Sequence, residues 1–286
     1  MQPALSRRAF TLTAAAAAIL PAGPAGAETP IRFGLTPVFL DNDAEVIDLM
    51  HAALAEGMGR PVELVQRRTY EEVTALLLEG GVDAAWVCGY PYLQHRKALT
   101  LIGVPVWQGK PLYRSYLIVA PDDPARGLAD LAGGTHAFSD PNSNSGWLVT
   151  TTDIIRMGRR PETFFARSIF TYGHRNVVRA VAAGLTRSGS VDGYVWEVLK
   201  LEEPGLAGRT RVVTRSEWLG FPPIVCRADR AGEEGIRSLH RVLLELPQTE
   251  TGRRTLAALH LDAIADEPPS VFDGIAARMA DLEAAG

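Results

Sequence analysis

Apolar and polar positions along this chain follow two rhythms, one of period two and one near 3.6, and the switches between them predict the elements. Residues 31–37 (IRFGLTP) read as a first strand. The stripe Val46, Ile47, Met50 and Leu54 then predicts a helix, capped by Asp43 and ended near residues 57–59. Residues 62–66 predict a second strand, and residues 70–79 a helix closed by Gly80 and Gly81. The near-continuous apolar run 82–87 (VDAAWV) has the character of a strand buried on both faces of a parallel sheet. A β-α-β-α-β opening of this kind predicts an α/β layer architecture. Cys88-Gly89-Tyr90-Pro91 makes a turn at the carboxyl end of the third strand, where open α/β sheets place their ligands, and a short helix runs on to Ala98. Residues 113–120 (YRSYLIVA) predict a further strand, broken by Pro121-Asp122-Asp123-Pro124. Beyond the break come strands at 135–139, 168–171 and 191–195, the last running into a turn around Trp196 and Glu197. Helices reaching Met157 and spanning 176–183 lie between them, and Phe221-Pro222-Pro223 leads into a short apolar strand at 224–227. Residues 232–285 are helical by period, with Leu239, Val242, Leu243 and Leu246 on one stripe. The pattern predicts two α/β lobes with a ligand cleft between them.

The first residues stand apart from this pattern. Ser6-Arg7-Arg8-Ala9-Phe10-Thr11-Leu12 has the twin-arginine export form, followed by the apolar run 14–20 and by Ala25-Gly26-Ala27. A charged start, a short apolar stretch and an A-x-A-like site predict a signal peptide over residues 1–27, and a mature chain starting near Glu28. The apolar run is too short to span a bilayer. A periplasmic protein is the expectation. A net charge of −4, with Lys and Arg scattered among Asp and Glu, argues against a nucleic-acid partner.

The densest chemistry lies at residues 139–148, Ser-Asp-Pro-Asn-Ser-Asn-Ser-Gly-Trp-Leu. It reads as the end of a strand, a turn, and Ser143, Asn144 and Ser145 at the start of a helix. Helix N-termini leave backbone N–H groups unpaired under a positive dipole, so added hydroxyl and amide groups make a neutral cradle for an oxyanion. Ordinary N-capping needs only one such residue, and it stands as the competing reading.

With these pieces placed, the chain resembles the phosphonate/phosphite-binding family of periplasmic substrate-binding proteins of ABC transporters. The stretches IRFGLTP, RRTYEEVTALLLEGGVDAAWVCGYPYL, YRSYLIVAPDD, FSDPNSNSGWLV, YGHRNVVRAVAAG, VDGYVWE and FPPIVCRAD carry the likeness. The resemblance implies a type II binding-protein fold of two α/β lobes joined by two hinge crossovers. Lobe one would comprise residues 28–118 plus 224–286, and lobe two residues 119–223. It implies ligand-binding roles for Ser143, Asn144 (where Thr is usual), Ser145, His174, Tyr70 and Tyr113, and, on a looser alignment, Tyr194 and Glu197. His174 would offer a ring N–H to the anion. Tyr90 joins the group by its place after the third strand. Capping and core-edge packing are the competing readings for these residues. Relatives that take aminoalkyl phosphonates carry an acidic residue before the return-segment proline, where this chain has Phe221. The implied ligand is a compact oxyanion: phosphite, phosphate or a simple phosphonate. The implied partner is an ABC permease or a membrane sensor kinase, and the protein is expected to be monomeric.

Cys88 follows the third strand and Cys226 lies in the return strand; the type II lobe that the resemblance implies would make these strands neighbours, so a disulfide between the two cysteines is one expectation. The other is a free Cys88 thiol at the cleft: thiolates are soft ligands, and the resemblance extends to periplasmic arsenite sensors that use a cysteine, so Cys88 would be an arsenite ligand in a sensor signalling to a histidine kinase. Catalysis is not expected. The chain has six histidines but no H-E-x-x-H, no dense Cys/His cluster, no G-x-S-x-G and no P-loop, so neither a metal nor a cofactor is predicted.

Overall fold

The computed structural model describes residues 29–37 and 44–286. The export segment and the Asp43 cap lie outside the described residues. Strand β1 (Ile31–Leu35), helix α1 (Ala44–Met58), β2 (Val62–Gln66), α2 (Tyr70–Leu78), β3 (Ala84–Trp86) and α3 (Gly89–Gln94) follow in the predicted order. A capping box fixes where α2 begins. The Thr69 side chain accepts from the Glu72 backbone N–H, and the Glu72 carboxylate accepts from the Thr69 N–H.

Strand β4 (Leu99–Val106) comes next, in a run to which the hydrophobic pattern assigns no element. Two short pieces replace the single strand expected at 113–120: β5 (Leu112–Tyr113) and β6 (Ser115–Val119). Then follow β7 (Thr135–Phe138), a π-helical turn (Asn144–Leu148), α4 (Val149–Arg156), α5 (Pro161–Phe164), β8 (Arg167–Phe170) and α6 (His174–Ala182). Strand β9 (Ser188–Asp192) and helix α7 (Gly193–Glu202) correct the strand expected at 191–195. Asp192 ends the strand by capping the helix, since its carboxylate accepts from the Tyr194 and Val195 N–H groups. The chain continues through α8 (Pro204–Ala207), β10 (Arg211–Arg215), β11 (Leu219–Gly220), β12 (Ile224–Arg227), α9 (Glu234–Glu245), α10 (Glu250–Ala258), β13 (Ala263–Ala265) and α11 (Asp273–Ala285).

Two larger sheets result, with strand orders β13-β4-β12-β3-β1-β2 and β10-β6-β9-β7-β8. The antiparallel ribbon of β5 and β11 joins them. Because β6 belongs to the second sheet, the outward crossover falls at residues 112–114, a few residues before the expected boundary at 118. The buried rings of Tyr113, Phe221, Tyr194 and Trp107 pack in sequence along this joint. Helix α11 bridges the lobes, packing on α3 from one side, on α4 from the other, and on β11.

Strand β12 does lie beside β3, yet the cysteines are unbridged. Ile224 faces Trp86 and Cys226 faces Ala84, so Cys88 lies beyond the paired segment. Four residues of strand separate Cys88 from the position opposite Cys226, about 13 Å of rise, against a disulfide limit of about 7 Å. The expected Cys88–Cys226 bridge is thereby excluded by register.

Candidate functional site

The carboxyl ends of parallel strands converge at the joint between the lobes, where α/β sheets present their loops. From the second lobe, β7 delivers Ser139, Asp140 and the Ser143–Asn144–Ser145 turn; β8 leads to His174 at the start of α6; β9 ends on Asp192. From the first lobe, β2 leads to Tyr70 and β3 to Cys88, with Tyr113 supplied by the connecting ribbon. All of these side chains are buried.

The cradle is a single π turn, a rare local geometry that recurs at functional sites. Ser143 Oγ accepts the Gly146 N–H at 2.9 Å, so the capping reading holds for this one residue. Gly146 is required there: a Cβ on it would lie 1.8 Å from Ser139 Oγ. Asn144 is pinned at both ends, its backbone N–H on Cys88 Sγ at 3.2 Å and its Nδ2 on Tyr113 Oη at 2.8 Å. The Ser145 side chain also reaches the Tyr113 hydroxyl, and the Ser145 carbonyl accepts from Ser115 Oγ. Ser139 Oγ and Asn144 Oδ1 are buried without a hydrogen-bond partner. Buried polar atoms are seldom left so, and both point to a ligand at this place.

His174 differs from its expected role. Its Nδ1 accepts the Asp192 backbone N–H at 3.0 Å, which leaves the ring hydrogen on Nε2. Nε2 lies 3.1 Å from Tyr70 Oη, so the ring N–H is directed at the tyrosine. Burial pushes His174 down to about 3, and the ring is neutral at any physiological pH. Tyr70 accepts from the histidine and keeps its own hydroxyl hydrogen free to donate. Burial, with smaller contributions from nearby acidic groups, holds the Tyr70 and Tyr113 phenols well above their usual range, so both remain donors.

Sequence reasoning overlooked two carboxylates. Asp140, at the start of the turn, accepts from the Asn142 N–H at 2.7 Å and, across the lobes, from the Tyr70 N–H at 3.2 Å. Burial raises it above the usual aspartate range. Burial likewise pushes Asp192 up to about 7, against the pull of its two helix N–H donors. The signals were Asp-Pro before the cradle and Val-Asp-Gly before α7. Among the described residues, Arg278 is the only buried Lys or Arg, and it is held by Glu217 and Asp153 of other elements. The site is therefore built from neutral donors.

Three expected site residues are not brought to the cradle. The Tyr194 hydroxyl donates to the Leu259 carbonyl at 2.6 Å, so that side chain is spent on the hinge seam. Glu197, one helical turn further on, accepts from Tyr116 Oη instead. Tyr90 stacks on Trp147 at the edge of the lobe contact, with ring centroids 6.1 Å apart. Cys88 does reach the site, as an acceptor for the Asn144 N–H. Burial pushes its thiol up to about 12, whereas soft-ion binding needs the thiolate.

Two α/β lobes on a double crossover, with a polar seam between them, define a type II periplasmic binding protein. The family described as ABC transporter, phosphonate, periplasmic substrate-binding protein matches residues 33–267, and the chain belongs to it. It is 29% identical over 199 residues to the phosphate-import protein PhnD of Mycolicibacterium smegmatis, covering 65% of this chain and 62% of that protein. The chain thus aligns with a little under two thirds of that relative's length. A binding-protein component of an ABC phosphonate transporter from Pseudomonas aeruginosa superposes with a TM-score of 0.79 at 21% identity, over 87% of this chain and 85% of the other. PhnD1 of Prochlorococcus marinus in complex with methylphosphonate gives a TM-score of 0.77 at 17% identity, over 88% and 98% of the two chains.

Proposed function

We propose that this protein is a periplasmic solute-binding protein that captures a small phosphorus oxyanion (phosphite, phosphate or a simple phosphonate) and delivers it to an ABC permease. One observation carries the reading. Tyr70 and Tyr113 from one side, and the Asn144–Ser145 turn from the other, surround unsatisfied buried polar atoms where the lobes meet. Neutral donors fixed in place can replace the hydration of an anion without a countercharge. Ligand contacts shared between lobes couple binding to closure, and closure is what a permease would read. Family membership supports the transport role, as do the phosphate-import and methylphosphonate-bound relatives. The twin-arginine pattern at residues 6–12 supports export by that route.

The aromatic joint argues for a compact ligand. Phe221 is buried between Tyr113 and Tyr194, so no carboxylate stands there to pair an aminoalkyl chain. A thermal-shift screen over phosphite, phosphate, methylphosphonate, aminoethylphosphonate, sulfate and arsenite tests the assignment. A true ligand at a hundred times its Kd adds about 2.7 kcal/mol of stability. Stabilisation by arsenite or aminoethylphosphonate, with none from the three compact phosphorus anions, would reject it.

A further inference from the structure

The structure assigns Asn144 Oδ1 as the acceptor for a ligand hydroxyl: we propose that the site recognises the singly protonated form of its oxyanion and rejects anions that carry no hydroxyl hydrogen. This rests on the oxyanion reading above and specifies which ionic form is bound.

The amide orientation decides the chemistry. Asn144 Nδ2 is committed to Tyr113 Oη and the backbone N–H to Cys88 Sγ, which together hold the side chain in one place. Its Oδ1 is fully buried, has no partner, and can only accept. A ligand with a P–OH group satisfies it. A bare anionic oxygen would meet it lone pair against lone pair, leaving both desolvated. A hydroxyl in its place could rotate to donate; a pinned carbonyl cannot.

The charges around the amide act in the same direction. Tyr113 from β5 and Cys88 from the end of β3 contact it, and around these two stand Tyr70 from α2, His174 from α6, Asp140 after β7 and Asp192 at the end of β9. None is a cation, since burial keeps His174 neutral. The two tyrosines and the cysteine stay protonated at neutral pH. Asp140 and Asp192 can only add negative charge. A second negative charge on the ligand would find no compensation here, whereas a single one fits the supply of neutral donors.

Calorimetric titration of the full mature chain with phosphite, phosphate, methylphosphonate and sulfate, from about pH 5.5 to about pH 8.5, tests the inference. The apparent affinity should fall about tenfold per pH unit once each ligand passes its own second ionisation, because only the protonated fraction binds. The three phosphorus ligands ionise at different pH values, so their curves should break at different places. Sulfate should bind at least about 100-fold more weakly than phosphate. In Asn144→Thr, sulfate should gain on phosphate by about tenfold or more.

A break at one common pH for all three ligands would assign the titration to the protein, with Asp192 the group in range, and would overturn the proposal. Equal binding of sulfate and phosphate would overturn it too, since an amide turned the other way presents an N–H. Failure of all four anions at every pH would remove the oxyanion reading itself, and this inference with it.

Discussion

Replacing Arg278 by methionine tests how the two lobes are held together. The residue projects from α11, is only 1% exposed, and donates through every nitrogen of its guanidinium. Nε and Nη2 form a fork on Glu217 at 2.8 and 2.6 Å. Nη1 reaches the Val149 carbonyl at 3.1 Å, Thr152 Oγ1 at 2.6 Å and Asp153 Oδ1 at 2.8 Å, all on α4. Methionine keeps an apolar stem of similar length and loses all five bonds. Breaking a buried ion pair costs about 3–5 kcal/mol when the abandoned charge remains dry. Here the Glu217 and Asp153 side chains are 47% and 40% exposed, so water can take up both carboxylates. The loss should therefore lie nearer about 2–3 kcal/mol. At about 2–4 °C per kcal/mol for a chain of this size, Tm should fall by roughly 4–12 °C.

The same contact gives the prediction a pH signature. Burial pushes Glu217 up, but the Arg278 hydrogen bonds and charge more than reverse this, and its carboxyl lies below the usual glutamate range. A carboxyl depressed in the folded state contributes stability that is present above its unfolded value and is lost as pH falls through the folded one. The difference in Tm between wild type and R278M should be full at neutral pH and should narrow below about pH 4.5. Circular-dichroism melts across that range measure it. A variant within about 1 °C of wild type at neutral pH, or a gap that persists unchanged in acid, would refute the reasoning.

Two further outcomes are expected. Ser143→Ala should cost about 1 kcal/mol of ligand-free stability through the lost cap on Gly146, and Ser145→Ala about 1 kcal/mol through its lost hydrogen bond to Tyr113, with ligand binding weakened as well. Unchanged ligand affinity in Ser145→Ala by calorimetric titration would mean that this serine only supports the fold. Thiol titration of the oxidised protein should find Cys88 and Cys226 unreactive while folded, and both reactive in denaturant without reductant; recovery of no thiol would establish the bridge that the strand register forbids.

What was legible in the sequence was local. Asp-Pro followed by Ser, Asn, Ser and Gly announces a turn with capping chemistry whatever the rest of the chain does, and a turn capped by Ser143 forms at those residues. Tyr70 came from the family resemblance and not from a local pattern, although the capping box beside it does fix the helix start. The misses came where one residue serves two elements or where partners are remote in sequence. Val-Asp-Gly-Tyr-Val looks like strand by β-propensity, yet the Asp192 carboxylate takes two helix N–H groups and ends the strand there. Strand β4 escaped notice because Pro105 interrupts its apolar run. The position of Cys226 opposite Ala84, and the reach of Asp140 across to Tyr70, depend on how distant strands register, which no local pattern encodes.

The order of strands also sets an order of assembly. Every strand of the five-stranded sheet lies within residues 115–215, so that half can form as soon as its own stretch of chain has left the ribosome. The six-stranded sheet cannot close so early, because β12 sits between β3 and β4 and arrives only with residues 224–227. Until then the apolar edge of β3 has no neighbour, the kind of exposed strand that recruits other chains. The half begun first is thus completed last, and a nascent chain halted before residue 224 would carry one finished half and one sheet split through its middle.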